Sequence, residues 1–236
     1  MNSPAPIAVI TGGTGYLGQA ITGLLNSHGW NVVILSRSHS EVKGATVHVC
    51  DITDEEQVRT TMQKIMNGGT LLSACIHAAS PHLARKPIVG LTLEECKDQM
   101  DVAFLGAFLL AKYATPYLTR DGAFIGITSA AIEPGASPGL MGSYPAAKSA
   151  LRALLRSLAK ELAPEVRVYA VAPGFLPGGL NADLPLSVRE FISRKAGKDA
   201  QTPEAVAELI LDLLQKTAAY APGSSIDMPS RTVSPL

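Results

Sequence analysis

Charge is scarce in this chain. Only 17% of its 236 residues are Asp, Glu, Lys or Arg, against about 25% in an average domain. Twenty basic side chains cancel twenty acidic ones, and without a basic excess nucleic acid is excluded as a partner. Cysteine is also rare. Cys50, Cys75 and Cys96 are odd in number and lack metal-ligand spacing, so no disulfide framework or metal site is expected. They fit free thiols in a reducing cytoplasm. No long apolar run exists: Val102–Ala111 is the longest, about half a membrane span. Ile7–Ile10 has no positive charge ahead of it and is too short for a signal-peptide core. The expectation is a cytoplasmic protein with no membrane partner. Hydrophobic residues at 47% exclude disorder, and the low charge agrees with some surface being buried in a homo-oligomer.

What is present is alternation. Ile7–Thr11, Val32–Leu35, Thr46–Val49, Leu71–His77, Ala123–Thr128, Val166–Val171 and Ser225–Met228 read as strands. Between them run segments of helical period: Gly15–His28, Asp54–Met66, Leu93–Leu118 until about Pro116, Tyr144–Leu162, Leu186–Lys195 and Pro203–Lys216. The tail Ser230–Leu236 reads as irregular. Strand–helix alternation implies a parallel sheet, because each crossover needs a covering helix. The fold class is therefore α/β: a single Rossmann-type doubly wound parallel sheet, strand order 3-2-1-4-5-6-7, with helices on both faces and nearly all-apolar strands. Residues 1–236 read as one domain. The Gly/Pro-rich stretches Glu133–Gly142 and Pro173–Gly179 follow strands, where ligands bind in such sheets, and residues 175–198 read as a substrate lid.

The first strand runs into Thr11-Gly12-Gly13-Thr14-Gly15-Tyr16-Leu17-Gly18. Gly13, Gly15 and Gly18 satisfy G-x-G-x-x-G between a strand and a helix, the pattern of a dinucleotide pyrophosphate turn. A binder of NAD carries an acidic residue at the end of the second strand. Here that strand ends in Ser36-Arg37-Ser38, with no carboxylate. A guanidinium suits a 2′-phosphate, so NADPH/NADP⁺ is favoured over NADH; the alternative is that Arg37 is a solvated loop charge.

Tyr144 and Lys148 are four residues apart at a helix start and share one face. An unperturbed tyrosine, with pKa about 10, is a poor acid/base at neutral pH, and a nearby ammonium lowers it. Ser129 follows the fifth strand, where its hydroxyl would meet a substrate carbonyl or merely cap a turn.

Together these residues resemble the short-chain dehydrogenase/reductase family across essentially the whole chain. The resemblance implies Ser129, Tyr144 and Lys148 as catalytic residues. It also implies a cofactor site from the Thr11–Gly18 turn, from Asp51 and Ile52 beside the adenine, from Ala78 and Ala79 after the fourth strand, and from Pro173, Gly174 and Phe175 beside the nicotinamide. Lys148 would also bind the ribose. The implied activity is NADP(H)-dependent reduction of a ketone or ketoacyl carbonyl to an alcohol, or the reverse. The substrate would be a small molecule or carrier-bound. Arg120, Arg152, Arg156 and Arg167 would be either a docking surface for an acidic carrier or scattered solvated charges. The family implies a homodimer or homotetramer through Tyr144–Leu162, with Leu151, Leu154, Leu155 and Leu158 for packing.

Four departures stand against the family pattern. The glycines at 12, 15 and 18 are spaced as in its longer, epimerase-like branch, with Tyr16 where the short branch has Gly. Ala103 stands where that branch has a catalytic Asn holding a relay water. Ser129 and Tyr144 lie 15 apart, wider than usual, which leaves Ser137 and Ser143 as substitutes for Ser129. Phe175–Leu180 lacks the Thr expected near the nicotinamide, and Asp227–Ser230 lacks the usual Asp-Gly-Gly-like ending. They motivate two alternatives: a catalytically impaired regulator or scaffold that still binds cofactor, and an isomerase or dehydratase using bound cofactor.

Overall fold

The computed structural model describes residues 4–67, 69–133, 136, 139–196, 201–215, 220–229 and 232–236. Its strands are β1 (Ile7–Thr11), β2 (Asn31–Ser36), β3 (Ala45–Val49), β4 (Leu72–His77), β5 (Leu118–Ile127), β6 (Arg167–Ala172), β7 (Ser224–Asp227) and β8 (Thr232–Pro235). Its helices are α1 (Tyr16–Ser27), α2 (Glu55–Ile65), α3 (Leu93–Met100), α4 (Gly106–Ala114), α5 (Tyr144–Leu162), α6 (Leu186–Ala196) and α7 (Pro203–Gln215). They form one sheet, ordered β3-β2-β1-β4-β5-β6-β7-β8. The first seven strands pair in parallel, as expected, and β8 pairs antiparallel with β7.

Alternation along the strands builds two cores. Val9, Cys75 and Phe124 join residues of α2, α4 and α5 on one face. Ile10, Ile76 and Ile125 join residues of α1 and α7 on the other. This double coverage explains the apolar strands at the centre. It does not extend everywhere: edge strand β3 is only half-buried, while polar β7 is fully buried.

Three further expectations are corrected. The tail is not irregular, because Thr232–Pro235 pairs with β7 and Arg152 of α5 reaches Ser234 Oγ at 3.1 Å. Leu93–Leu118 is not one regular helix. Asp101–Leu105 is wound as a π-helix between α3 and α4, and β5 begins at Leu118. Leu151, Leu155 and Leu158 are buried in the chain's own core, so they are not free to pack on a partner. Ser137, Lys216, Ser230 and the lid residues Gly197 and Lys198 lie outside the described residues.

The parallel strands end along one edge, which gathers the glycine turn after β1, Ala78–Ser80 after β4, Ser129 after β5 and Pro173–Gly174 after β6.

Candidate active site

The glycine turn is close-packed. Gly12 has φ +75°, and a Cβ on it would stand 2.6 Å from the Ala79 nitrogen. A Cβ on Gly18 would stand 2.1 Å from the Gly12 carbonyl oxygen. These are the close approaches that only glycine permits. Helices α2 and α3 cap their own N-termini. Asp54 accepts from the Gln57 amide at 3.0 Å, and Thr92 and Glu95 form a capping box. At α1, by contrast, Gly15 gives no side-chain cap and the first turn holds no acidic residue. Its amide groups and positive dipole end face a cleft, a setting suited to a phosphate.

That cleft measures about 570 Å³ and runs from the glycine turn to Tyr144. Gly12, Thr14, Gly15, Tyr16, Leu17 and Gly18 line one end. Ser36, Arg37 and Ser38 from the end of β2, with Asp51 and Ile52 after β3, line the next stretch. Asp51 Oδ1 accepts from both the amide and the hydroxyl of Thr53, at 2.9 and 2.8 Å, which fixes its carboxylate. Ala78 and Ala79, then Pro173 and Gly174, continue the wall to Ser129, Tyr144 and Lys148. Two expected cofactor residues are not in it. A Cβ on Gly13 would meet the Ile34 side chain at 2.7 Å, so Gly13 serves strand packing. Phe175 is absent from the lining, and Leu176 is there instead.

Tyr144 opens α5, and Ser129 ends the extended run after β5. Ser129 does two things. Its Oγ accepts from the Ala131 amide at 3.2 Å, and its hydroxyl stands close enough to the Tyr144 phenol to favour the phenolate. The wide spacing in sequence is thus closed in space, and Ser143 merely precedes α5. Lys148 is buried. Its Nζ donates to the Ile127 carbonyl at 2.8 Å and lies 5.8 Å from the centre of the Tyr144 ring.

The electrostatics correct one expectation. Burial pushes the Tyr144 phenol up, and the Ser129 hydrogen bond and the Arg85 charge only partly offset this. Lys148 is not what lowers it. Burial brings the lysine itself down to about 8, and its ammonium is held on the strand carbonyl. The protein alone therefore favours a neutral tyrosine, the form that gives a proton.

Reading the sequence missed two contributors, Arg85 and His77, and gave Tyr16 a cofactor role only. A Cβ on Gly178 would meet the Tyr16 ring at 2.8 Å, so the residue that breaks the short-branch glycine pattern packs on the segment after β6. Arg85 holds the same segment, donating to the Leu180 carbonyl at 3.3 Å and to the Asn181 amide oxygen. His77 is wholly buried behind Lys148. Only His77 carried a signal, a titratable residue closing an otherwise apolar strand.

Two expected docking arginines are structural. Arg167 is buried and donates to the carbonyls of Asp121 and Leu214 at 2.9 and 3.2 Å. Arg152 pairs with Glu133 at 3.1 Å. Among the described residues no group of acidic, Cys or His side chains could hold a metal, and no helix is long and apolar enough to cross a membrane.

Residues 15–228 match the family model described as Enoyl-(Acyl carrier protein) reductase. A short-chain dehydrogenase/reductase, SDRA, of Arabidopsis thaliana is 31% identical, covering 95% of each chain. The 3-oxoacyl-(acyl-carrier-protein) reductase FabG of Thermotoga maritima is 28% identical over 96% of this chain and 97% of its own. Among solved structures, the ligand-free aldohexose dehydrogenase of Thermoplasma acidophilum superposes with a TM-score of 0.84 at 23% identity, covering 95% of this chain and 93% of its own.

Proposed function

The chain belongs to the short-chain dehydrogenase/reductase family and is an oxidoreductase of that type, and from that premise we propose that it reduces a ketone or ketoacyl carbonyl with NADPH, or runs the reverse reaction with NADP⁺. The observation that carries this reading is the continuity of one cleft from the glycine cradle, past Arg37, to Ser129, Tyr144 and Lys148.

The residues present fit a dinucleotide. The cradle at Gly12 and Gly18 leaves no room for a Cβ, and the start of α1 is free of competing carboxylates. Arg37 has no acidic neighbour in Ser36 or Ser38 and would meet a 2′-phosphate bidentately. When bound, the nicotinamide supplies hydride to the carbonyl carbon. Tyr144 gives its proton to the carbonyl oxygen. Ser129, beside the phenol in the cleft, orients that oxygen and steadies the charge growing on it. Lys148 keeps a positive charge beneath the ring and would bond the ribose with the N–H groups that Ile127 leaves free.

Residues 175–196 form the lid, anchored by Tyr16 and Arg85, with α6 at its outer part. Apolar Leu176 and Leu180 favour an acyl or aromatic substrate. FabG reductases among the relatives support a ketoacyl thioester as one candidate, without the arginine docking surface. We further propose a cytoplasmic homodimer or homotetramer. The core has taken Leu151, Leu155 and Leu158, so α5 would meet its partner through its outer face. α4 would contribute Phe108, which is 41% exposed. The experiment is a parallel fluorescence titration with NADPH and NADH, followed by a carbonyl screen read by NADPH oxidation. Tight NADPH binding and turnover of one carbonyl support the proposal. NADH preference removes the Arg37 assignment, and binding without turnover of any carbonyl favours the scaffold.

A further inference from the structure

One wall of the cleft is held by a side chain that the mechanism above does not use. β6 ends at Ala172, and Pro173 and Gly174 follow it and line the cleft with Ser129 and Lys148. Every backbone polar group of this turn, from the Ala172 carbonyl to the Gly174 amide, is engaged or missing. The Ala172 carbonyl accepts from the Met228 amide at 3.1 Å. Pro173 has no N–H. Its carbonyl accepts from the Ala130 amide at 2.9 Å. The Gly174 N–H donates to Oε1 of Gln201 at 2.9 Å. Gly174 is also closely packed, since a Cβ on it would stand 2.6 Å from Cγ of Pro229.

The last two bonds meet on one peptide group. The Pro173 carbonyl and the Gly174 N–H belong to the same planar unit, so Ala130 holds one end of the plane and Gln201 the other. Ala130 directly follows Ser129, whose Oγ accepts from the Ala131 amide. A tilt of the plane would therefore be passed to the Ser129 loop. Gln201 is itself fixed. It is buried, although it lies 27 residues from Gly174 in sequence. Next to it, Thr202 caps α7, its Oγ1 accepting from the Ala205 amide at 3.1 Å. That helix buries Val206, Ala207 and Ile210. An N–H can bond only the oxygen of a carboxamide, so Gly174 sets the orientation of the Gln201 amide. Of the groups that hydrogen-bond this turn, Gln201 alone acts through a side chain.

We propose that Gln201 is a positioning residue of this site: its carboxamide oxygen fixes the Pro173–Gly174 peptide, which keeps that N–H out of the cleft and holds the Ser129 loop in place for the carbonyl oxygen. Without the acceptor, a half-buried N–H would be left unpaired at a cost, and the plane would turn to find water in the cleft. The wall beside Ser129 would then move, while the glycine cradle and Arg37 would not. Gln201 thus bears on the chemical step more than on nucleotide affinity. The inference deepens the reductase reading and rests on it for the rate measurement alone.

The test uses two variants that keep the length of the side chain. Gln201→Met removes the acceptor, and Gln201→Glu keeps one. In the first part, NMR follows amide hydrogen exchange on the nucleotide-free, ¹⁵N-labelled protein. With Gln201→Met, Gly174 should exchange at least about tenfold faster than in the parent, the order of one lost hydrogen bond, and Ala130 should follow. Gln201→Glu should stay near the parent, and Ile210 in α7 should be unchanged in both. An unchanged Gly174 would mean that Gln201 does not hold the turn, and equal acceleration at Ile210 that it only adds overall stability; either overturns the proposal. The second part measures kcat and NADPH Kd with the best carbonyl from the screen. Gln201→Met should lower kcat by at least about tenfold with Kd within about threefold, as misplacement of a reacting group does, and Gln201→Glu should recover most of the rate. Parent-like kcat with Gln201→Met, equal rates in the two variants, or a loss of NADPH affinity as large as the loss of kcat would overturn the proposal. If the unaltered protein turns over no carbonyl, the reductase reading fails, while the exchange result still decides whether Gln201 holds the turn.

Discussion

Lys148 donates its buried ammonium to the Ile127 carbonyl at 2.8 Å, and so it sits beneath the Tyr144 ring without bonding the phenol. The two residues share a helix face, yet their tasks separate. In the proposed reaction Tyr144, beside Ser129 in the cleft, would give its proton to the carbonyl oxygen, while Lys148 would supply charge and ribose contacts from below.

That separation predicts different losses. Tyr144→Phe should lower kcat by about 10³-fold or more, in line with removal of a positioned proton donor, and leave NADPH affinity within a few-fold. Lys148→Met should lower both. Titration fluorimetry and steady-state rates on the same preparations distinguish the two patterns.

The glycines of α1 give a stability contrast. Gly18→Ala would drive a Cβ to 2.1 Å from the Gly12 carbonyl. It should cost about 2 kcal/mol or more and abolish nucleotide binding. Gly23 has nothing within 4 Å of its Cβ position, so Gly23→Ala should stabilise by about 1 kcal/mol through helix propensity. Denaturant unfolding of both variants measures the difference.

The proposed NADPH preference rests on Arg37. Arg37→Ala should weaken NADPH by at least about tenfold, the order of one charge-assisted bidentate contact, and leave NADH unchanged. Equal loss for both nucleotides would mean that Arg37 touches something other than a 2′-phosphate.

Acid stability follows from His77. Its folded pKa is about 3, below the ordinary histidine value near 6.5. The unfolded chain therefore binds the extra proton between those values. Stability from this group is full above pH ~6.5 and is lost as pH falls toward 3, at roughly 1.4 kcal/mol per unit. His77→Gln should flatten that part of the stability profile relative to the parent, measured by chemical unfolding at successive pH values.

The sequence made some parts of this molecule legible and hid others. The glycine turn, the central strands and Tyr144-x-x-x-Lys148 were readable, because each depends on local spacing or on burial from both faces. β8 was not. Thr232–Pro235 has one strongly apolar residue and takes its order from β7 and from Arg152. Arg167 looked like a surface charge because its carbonyl partners lie more than forty residues away. Gly13 matched the motif yet packs on Ile34, since one glycine pattern serves both phosphate approach and strand packing. His77, Tyr16 and Arg85 make contacts with segments distant in sequence, which spacing along one chain does not encode.

The most direct test of the account is single-turnover stopped flow. The NADPH complex is mixed with the best carbonyl from the screen, for the parent and for Tyr144→Phe. The account predicts a rapid loss of NADPH absorbance in the parent, matched by alcohol formed, and at least about 10³-fold slower loss in the variant. Equal rates in the two proteins would contradict Tyr144 as the proton donor, and with it the central claim.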